Sequence, residues 1–201
     1  MKDALLLIYE LSTALLPGAV LYLARRRRFP HRPDGYRTGL ALFALYLAFT
    51  LHVTGAGTLF DGLSYGFAPR AYQINLIPFS REMDISYPGN LLLFIPFGWL
   101  VPLIWKKWDR LPRVAGAALA LSFLIEASQL LNNRFSDVDD LIINTAGALL
   151  GYLLFRLTAR PVQRPRAEAP LAELPLYTAL MLAGHFFLFD ELAAAALLWG
   201  F

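Results

Sequence analysis

Six apolar segments, at about residues 4–24, 38–54, 90–105, 112–131, 140–158 and 174–199, take up most of this 201-residue chain. Each is close to the roughly 20 residues that a helix needs to cross the hydrocarbon core of a bilayer. In that medium every backbone polar group must be satisfied internally, and runs of this length select the helix over the closed barrel. Hydrophobic residues are 57% of the chain and charged residues only 16%, against roughly a quarter charged in soluble domains. The expected fold is all-α, a polytopic transmembrane helical bundle of about six spans, without room for a separate soluble catalytic domain. Pro96 and Pro102 fall in the third segment, where neighbouring helices can accommodate kinks. Asp190 and Glu191 interrupt the sixth, which reads either as a full span or as a shorter one followed by an interfacial tail.

Basic residues set the orientation. Lys and Arg at 25, 26, 27, 28, 32 and 37, at 106, 107, 110 and 113, and at 156, 160, 164 and 166 make up 14 of the 18 in the chain. With alternating spans all three groups fall on one side, which the positive-inside rule makes cytoplasmic. Lys2, Arg70, Arg81 and Arg134 remain for the outer side. The first span is expected to be retained and not cleaved as a signal, because Arg25–Arg28 follow its apolar run where a signal peptide carries its charges first; the N-terminus is expected outside. Three regions follow: 1–37, the first span and a basic cytoplasmic loop; 38–158, the central transmembrane domain; and 159–201, a linker with Pro161, Pro165 and Pro170 before the last span.

The outer side then receives the 55–89 connection and the sequence Arg134-Phe-Ser-Asp137-Val-Asp139-Asp140, three carboxylates and an arginine within seven residues. Ionisable groups at or in a bilayer are expensive and mark functional sites by default. Upstream, Ser122, Glu126, Gln129 and Asn133 share one face of the fourth span; Asp137, Asp140, Asn144, Gly147 and Gly151 share one face of the fifth. If the two faces meet, Glu126, Gln129, Asp140 and Asn144 line one outer cavity, which Asn75, Asn90, Arg70 and Arg81 can close. Structural readings stand beside this one. An aspartate here can cap the fifth helix, Glu126 with Gln129 can be interhelical glue, and the glycines can serve packing alone.

Other chemistries find less support. Zero cysteines remove disulfides and thiolate ligands, and His31, His52 and His185 have no zinc-ligand spacing. No cofactor is expected, although the Asp-x-Asp-Asp run with Glu and Asn is compatible with a hard cation such as Mg²⁺ or Ca²⁺. Gly62-Leu-Ser64-Tyr-Gly66 matches G-x-S-x-G, with Asp61 and His52 nearby, but the strand–turn–helix context of a nucleophile elbow is missing. The net charge of +3 comes from topology clusters, so no nucleic-acid partner is expected.

Four blocks resemble a known family in order: Asn75-Leu-Ile-Pro78-Phe79, Asn90-Leu-Leu-Leu-Phe94-Ile-Pro96-Phe97-Gly98, Ser122-x-x-x-Glu126-x-x-Gln129, and Arg134-x-x-Asp137-x-Asp139-Asp140-x-x-x-Asn144-x-x-Gly147. They look like the VanZ-like membrane proteins, a family named for a member associated with resistance to teicoplanin, a glycopeptide with a lipid tail. The resemblance covers roughly 38–158. It carries over Asn75, Pro78, Asn90, Glu126, Gln129, Arg134, Asp137, Asp139, Asp140 and Asn144 as motif positions, and it implies an integral membrane protein of the cell envelope.

The leading expectation is an outward-facing polar site that binds an envelope amphiphile, either a lipid-linked cell-wall precursor or a lipoglycopeptide. Arg70, Arg81 and Arg134 would hold anionic or carbonyl groups, and Asn75, Glu126, Asp137, Asp140 and Asn144 would hydrogen-bond sugar or peptide. Two alternatives remain: an enzyme acting on such a lipid, with Glu126 or Asp140 as general acid or base, and a scaffold for another envelope protein.

Overall fold

The computed structural model describes residues 2–26, 35–68, 71–80, 86–158 and 169–200. Within them lie α1 (Lys2–Arg26), α2 (Tyr36–Thr54), α3 (Leu59–Tyr65), α4 (Ser86–Ile104), α5 (Leu111–Gln129), α6 (Val138–Thr158), α7 (Glu173–Leu188) and α8 (Glu191–Trp199). The only strands among the described residues are β1 (Ile74–Asn75) and β2 (Ser136–Asp137), paired in parallel with Ile74 opposite Ser136 and Asn75 opposite Asp137. Among the described residues five helical stretches are long and apolar enough to cross a membrane, six if α7 and α8 are taken as one bent span. Apolarity runs right round them, as a helix facing protein on one side and lipid on the other requires. In α2, Phe43, Leu47 and Leu51 are buried while Leu42, Leu45, Phe49 and Val53 are about half exposed.

The helix ends sort by charge. Arg25, Arg26, Lys106, Lys107, Arg110, Arg113 and Arg156 lie at one end of the bundle. Hydrogen bonds tie that end together: Tyr36 Oη donates to Glu173 Oε1 at 2.8 Å, Tyr152 Oη to Asp109 Oδ1 at 3.0 Å, and Trp108 Nε1 to the Leu171 carbonyl at 3.1 Å. The four acids of the 126–140 region lie at the opposite end.

The tightest packing joins α4 to α6, backbone against backbone. A Cβ on Gly98 would stand 1.8 Å from the Ala148 carbonyl oxygen, one on Gly147 2.2 Å from that of Leu91, and one on Gly151 2.0 Å from that of Ile95. Small residues allow this approach, the usual device of helices that associate in lipid. Beside the seam, Phe43, Phe94, Phe97, Trp105 and Phe155 fill the core, with Phe43 edge-on to Trp105 at 5.2 Å between centroids.

Two boundaries differ from the sequence expectation, and a third falls at the interruption expected at Asp190 and Glu191. The segment after α2 is not a plain loop: the helix breaks at Gly55–Thr58 and resumes as α3, because Thr58 and Asp61 form a capping box that supplies the first N–H groups with acceptors. Second, α4 begins at Ser86, since Pro88 falls in its first turn, where no intrahelical donor is needed. Third, the sixth segment bends by 50° between α7 and α8. Asp190 causes the restart, accepting from Ala193 N at 3.0 Å as the N-cap of α8.

The candidate acidic site

The turn from α5 into α6 builds the centre of the site. After Gln129 the chain tightens into a 3₁₀ turn over Leu130–Asn132, and Asn133 takes the left-handed conformation (φ 61°). Asparagine tolerates that region and so ends helices. A few residues on, Asp137 starts α6: its Oδ1 accepts from Asp139 N at 3.0 Å, the geometry of an N-cap.

Each acid then has a separate task. Asp137 Oδ2 accepts from Asn75 Nδ2 at 2.9 Å, alongside the β1–β2 pairing. Asn75 Oδ1 in turn accepts from Ile77 N and Ser80 Oγ, both at 3.2 Å, which folds the 74–80 loop over itself. Asp139 is fully buried; its Oδ1 accepts from Phe79 N at 2.8 Å and its Oδ2 from the Tyr87 hydroxyl. Phe79 has φ 53°, a conformation that a bulky residue holds only when its surroundings impose it, and the buried carboxylate does so here. Asp140 Oδ1 accepts from Asn90 Nδ2 at 2.5 Å. Glu126, 4% exposed, accepts from Asp137 N at 3.1 Å. The Glu126 and Asp140 side chains lie close enough for their charges to interact. Among the described residues neither has a basic partner.

Gln129 and Arg134 do not join this group. Gln129 Nε2 and Arg134 Nη1 both donate to the Thr54 carbonyl, at 2.6 and 2.8 Å. Asn132 Nδ2 donates to the Gly55 carbonyl at 2.8 Å, His185 Nε2 lies 3.0 Å from the Ala56 carbonyl, and Gly57 N donates to Ser128 Oγ at 3.0 Å. The backbone groups freed by the α2–α3 break are thus met by side chains from α5, α7 and the α5–α6 turn, as irregular backbone at membrane depth requires. The guanidinium of Arg134 also offsets the negative end of the α2 dipole. Asn144 sits one turn deeper than Asp140, fixed by its Nδ2 donating to Ser122 Oγ at 2.9 Å, with its Oδ1 buried and unpartnered. The polar faces of α5 and α6 therefore meet, and they meet as two pairs, Glu126 with Asp140 and Ser122 with Asn144.

Residues 38–159 match the family model VanZ/LLP1, which is 122 positions of this chain. The chain belongs to the VanZ/LLP1 family. Over 133 residues it is 31% identical to "Protein VanZ" of Enterococcus faecium, covering 63% of this chain and 79% of that protein. No solved structure matches it.

The VanZ/LLP1 match runs from α2 through α6, so it contains the whole acidic group and the α2–α3 break; α1, α7 and α8 lie outside it. Arg70 and Arg81, expected to close the site, lie outside the described residues. Sequence reasoning missed Tyr87, Ser128, Asn132 and His185, whose partners are 52, 71, 77 and 129 positions away. No local spacing signals such pairs; only the cost of a polar group in an apolar span pointed to them. The G-x-S-x-G segment forms α3 and its C-cap, Asp61 is spent on the Thr58 cap, and His52 Nδ1 lies 2.7 Å from Glu10 Oε2. Among the described residues no three His, Asp or Glu side chains converge as metal ligands.

Proposed function

We propose that the Glu126–Asp140 pair and the amides around it receive the polar head of a cell-envelope amphiphile on the extracytoplasmic side of the membrane. Two classes suit it, a lipid-linked cell-wall precursor and a lipoglycopeptide such as teicoplanin; binding the latter would contribute to glycopeptide resistance. The observation that carries this reading is the placing of Glu126 and Asp140 side by side: two acids at the rim of a membrane bundle, held by the Asp137 N–H and by Asn90, with no basic partner among the described residues. Acids so placed present acceptors to sugar hydroxyls and peptide N–H groups. Beside them the 71–80 loop exposes Tyr72, Leu76, Ile77 and Phe79 by 63, 74, 68 and 60%. A loop of that kind rests in the interfacial layer, where the head of an amphiphile lies. The basic opposite end supports the orientation through the positive-inside rule. Native mass spectrometry of the protein extracted with its lipids is expected to retain a lipid-linked saccharide or added teicoplanin on wild type and to lose it on Glu126→Gln. Equal retention by both proteins refutes the reading.

A second reading uses the same pair as chemistry. Two neighbouring carboxyls can act as general acid and base toward a bound lipid. Turnover of a labelled polyprenyl-phosphate substrate that disappears in Asp140→Asn while binding persists would select it.

A further inference from the structure

At the basic end, far from the acids, α1, α2 and α7 enclose an apolar groove of about 400 Å³, a volume in the range of ligand pockets. Leu15, Ala19, Ala41, Ala44 and Met181 line it, with Tyr22 and Arg37 toward the basic helix ends. Ala19 and Ala41 are exposed, so the groove opens sideways from the bundle, toward lipid.

Arg37 stands at its basic end, and Arg25 lies one helical turn beyond Tyr22. Arg25 shares the Tyr22 face of α1; its Nη1 is buried and has no hydrogen-bond partner among the described residues. Arg37 lines the groove itself and meets no carboxylate among the described residues. A buried donor on a charged group is costly to leave unmade, and the planar fork of arginine fits a phosphate.

We propose that this groove binds an anionic phospholipid of the adjoining leaflet, one acyl chain lying between α1 and α2 and the phosphate meeting Arg25 and Arg37. The apolar walls bury methylenes, the arginines at the membrane edge select negative charge, and the open side admits a lipid by lateral diffusion. Two of the three walls, α1 and α7, lie outside the family match at 38–159, so the site is a feature of this chain's own flanking helices. It stands or falls independently of the acidic site.

The test is native mass spectrometry of the full chain released from nanodiscs holding equal phosphatidylglycerol and phosphatidylcholine. Wild type is expected to retain phosphatidylglycerol in preference, and Arg25→Gln with Arg37→Gln to lower that preference by about 30-fold. Arg25→Lys with Arg37→Lys keeps the charge and should keep most of the preference, which separates loss of binding from loss of fold. Ala41→Trp, at an exposed wall position, should reduce retention of the phosphatidylglycerol while leaving thermal unfolding unchanged. Equal retention of the two lipids by wild type overturns the proposal, as does an unaltered preference in the double glutamine variant or full retention in Ala41→Trp.

Discussion

Replacing Gly151 by alanine tests whether the α4–α6 seam positions the acidic site. The new Cβ would lie 2.0 Å from the Ile95 carbonyl oxygen and 2.9 Å from its carbon, where ordinary contact begins at 3.4 Å. Both obstacles are backbone, so no rotamer change relieves them; the helices must part locally by about 1.4 Å or bend. Overpacking of this kind typically costs about 1–3 kcal/mol, and with no flexible atom in the way we expect about 3 kcal/mol. The same seam carries Asn90 and Asp140, whose 2.5 Å hydrogen bond has no slack to absorb such a parting. Gly116→Ala is the control: it lies inside α5, and a Cβ there would meet nothing within 4 Å, so the change should stabilise by about 0.5–1 kcal/mol through helix propensity alone. Equilibrium unfolding in mixed micelles, followed by circular dichroism, measures both. If the two variants shift in the same direction, or Gly151→Ala falls within about 0.5 kcal/mol of wild type, the backbone-contact account is refuted.

Asp139→Ala removes the acceptor of Phe79 N and Tyr87 at a fully buried position; it should destabilise by about 2–3 kcal/mol and raise hydrogen exchange across 74–80 before any other segment. Gln129→Leu leaves the Thr54 carbonyl to Arg134 alone and is expected to cost about 1 kcal/mol in micelle unfolding, with Gln129→Leu plus Arg134→Met costing more than the sum of the single changes. Asp190→Ala removes the N-cap of α8 at a cost of about 1 kcal/mol, read as faster exchange at residues 191–194 with the rest of the bundle unaffected.

The helical periodicity of polar residues in α5 and α6 is enough to bring Glu126 against Asp140 and Ser122 beside Asn144, because in lipid a polar stripe can only face protein. Gly147 and Gly151 are legible for the same reason. The interruption at Asp190 announces a bend without saying which of two forms it takes, since a carboxylate in an apolar run can either end a helix or begin the next. What the sequence hides is the traffic between distant segments. Nothing near Gln129 or Arg134 says that they serve a broken turn of α2; their spacing groups both with Asp140, yet the freed carbonyl of Thr54 competes for them more strongly. Asp139 likewise reads as a site acid by its neighbours in the chain, whereas its burial commits both oxygens to Phe79 and Tyr87.

The two-residue pairing of β1 with β2 bears on how the protein is made. Parallel strands cannot be joined by a tight turn, and here the intervening chain crosses the bundle twice, through α4 and α5. During synthesis the 71–80 loop emerges with no partner and must wait until α5 has been inserted and the Ser136–Asp137 stretch has followed it. The acidic site is therefore completed late, after the translation of two further helices, and a ribosome stalled before Asp137 would leave Asn75 and Phe79 unclasped. That sequence of events makes closure of the strand pair a natural checkpoint for correct insertion of the helices between.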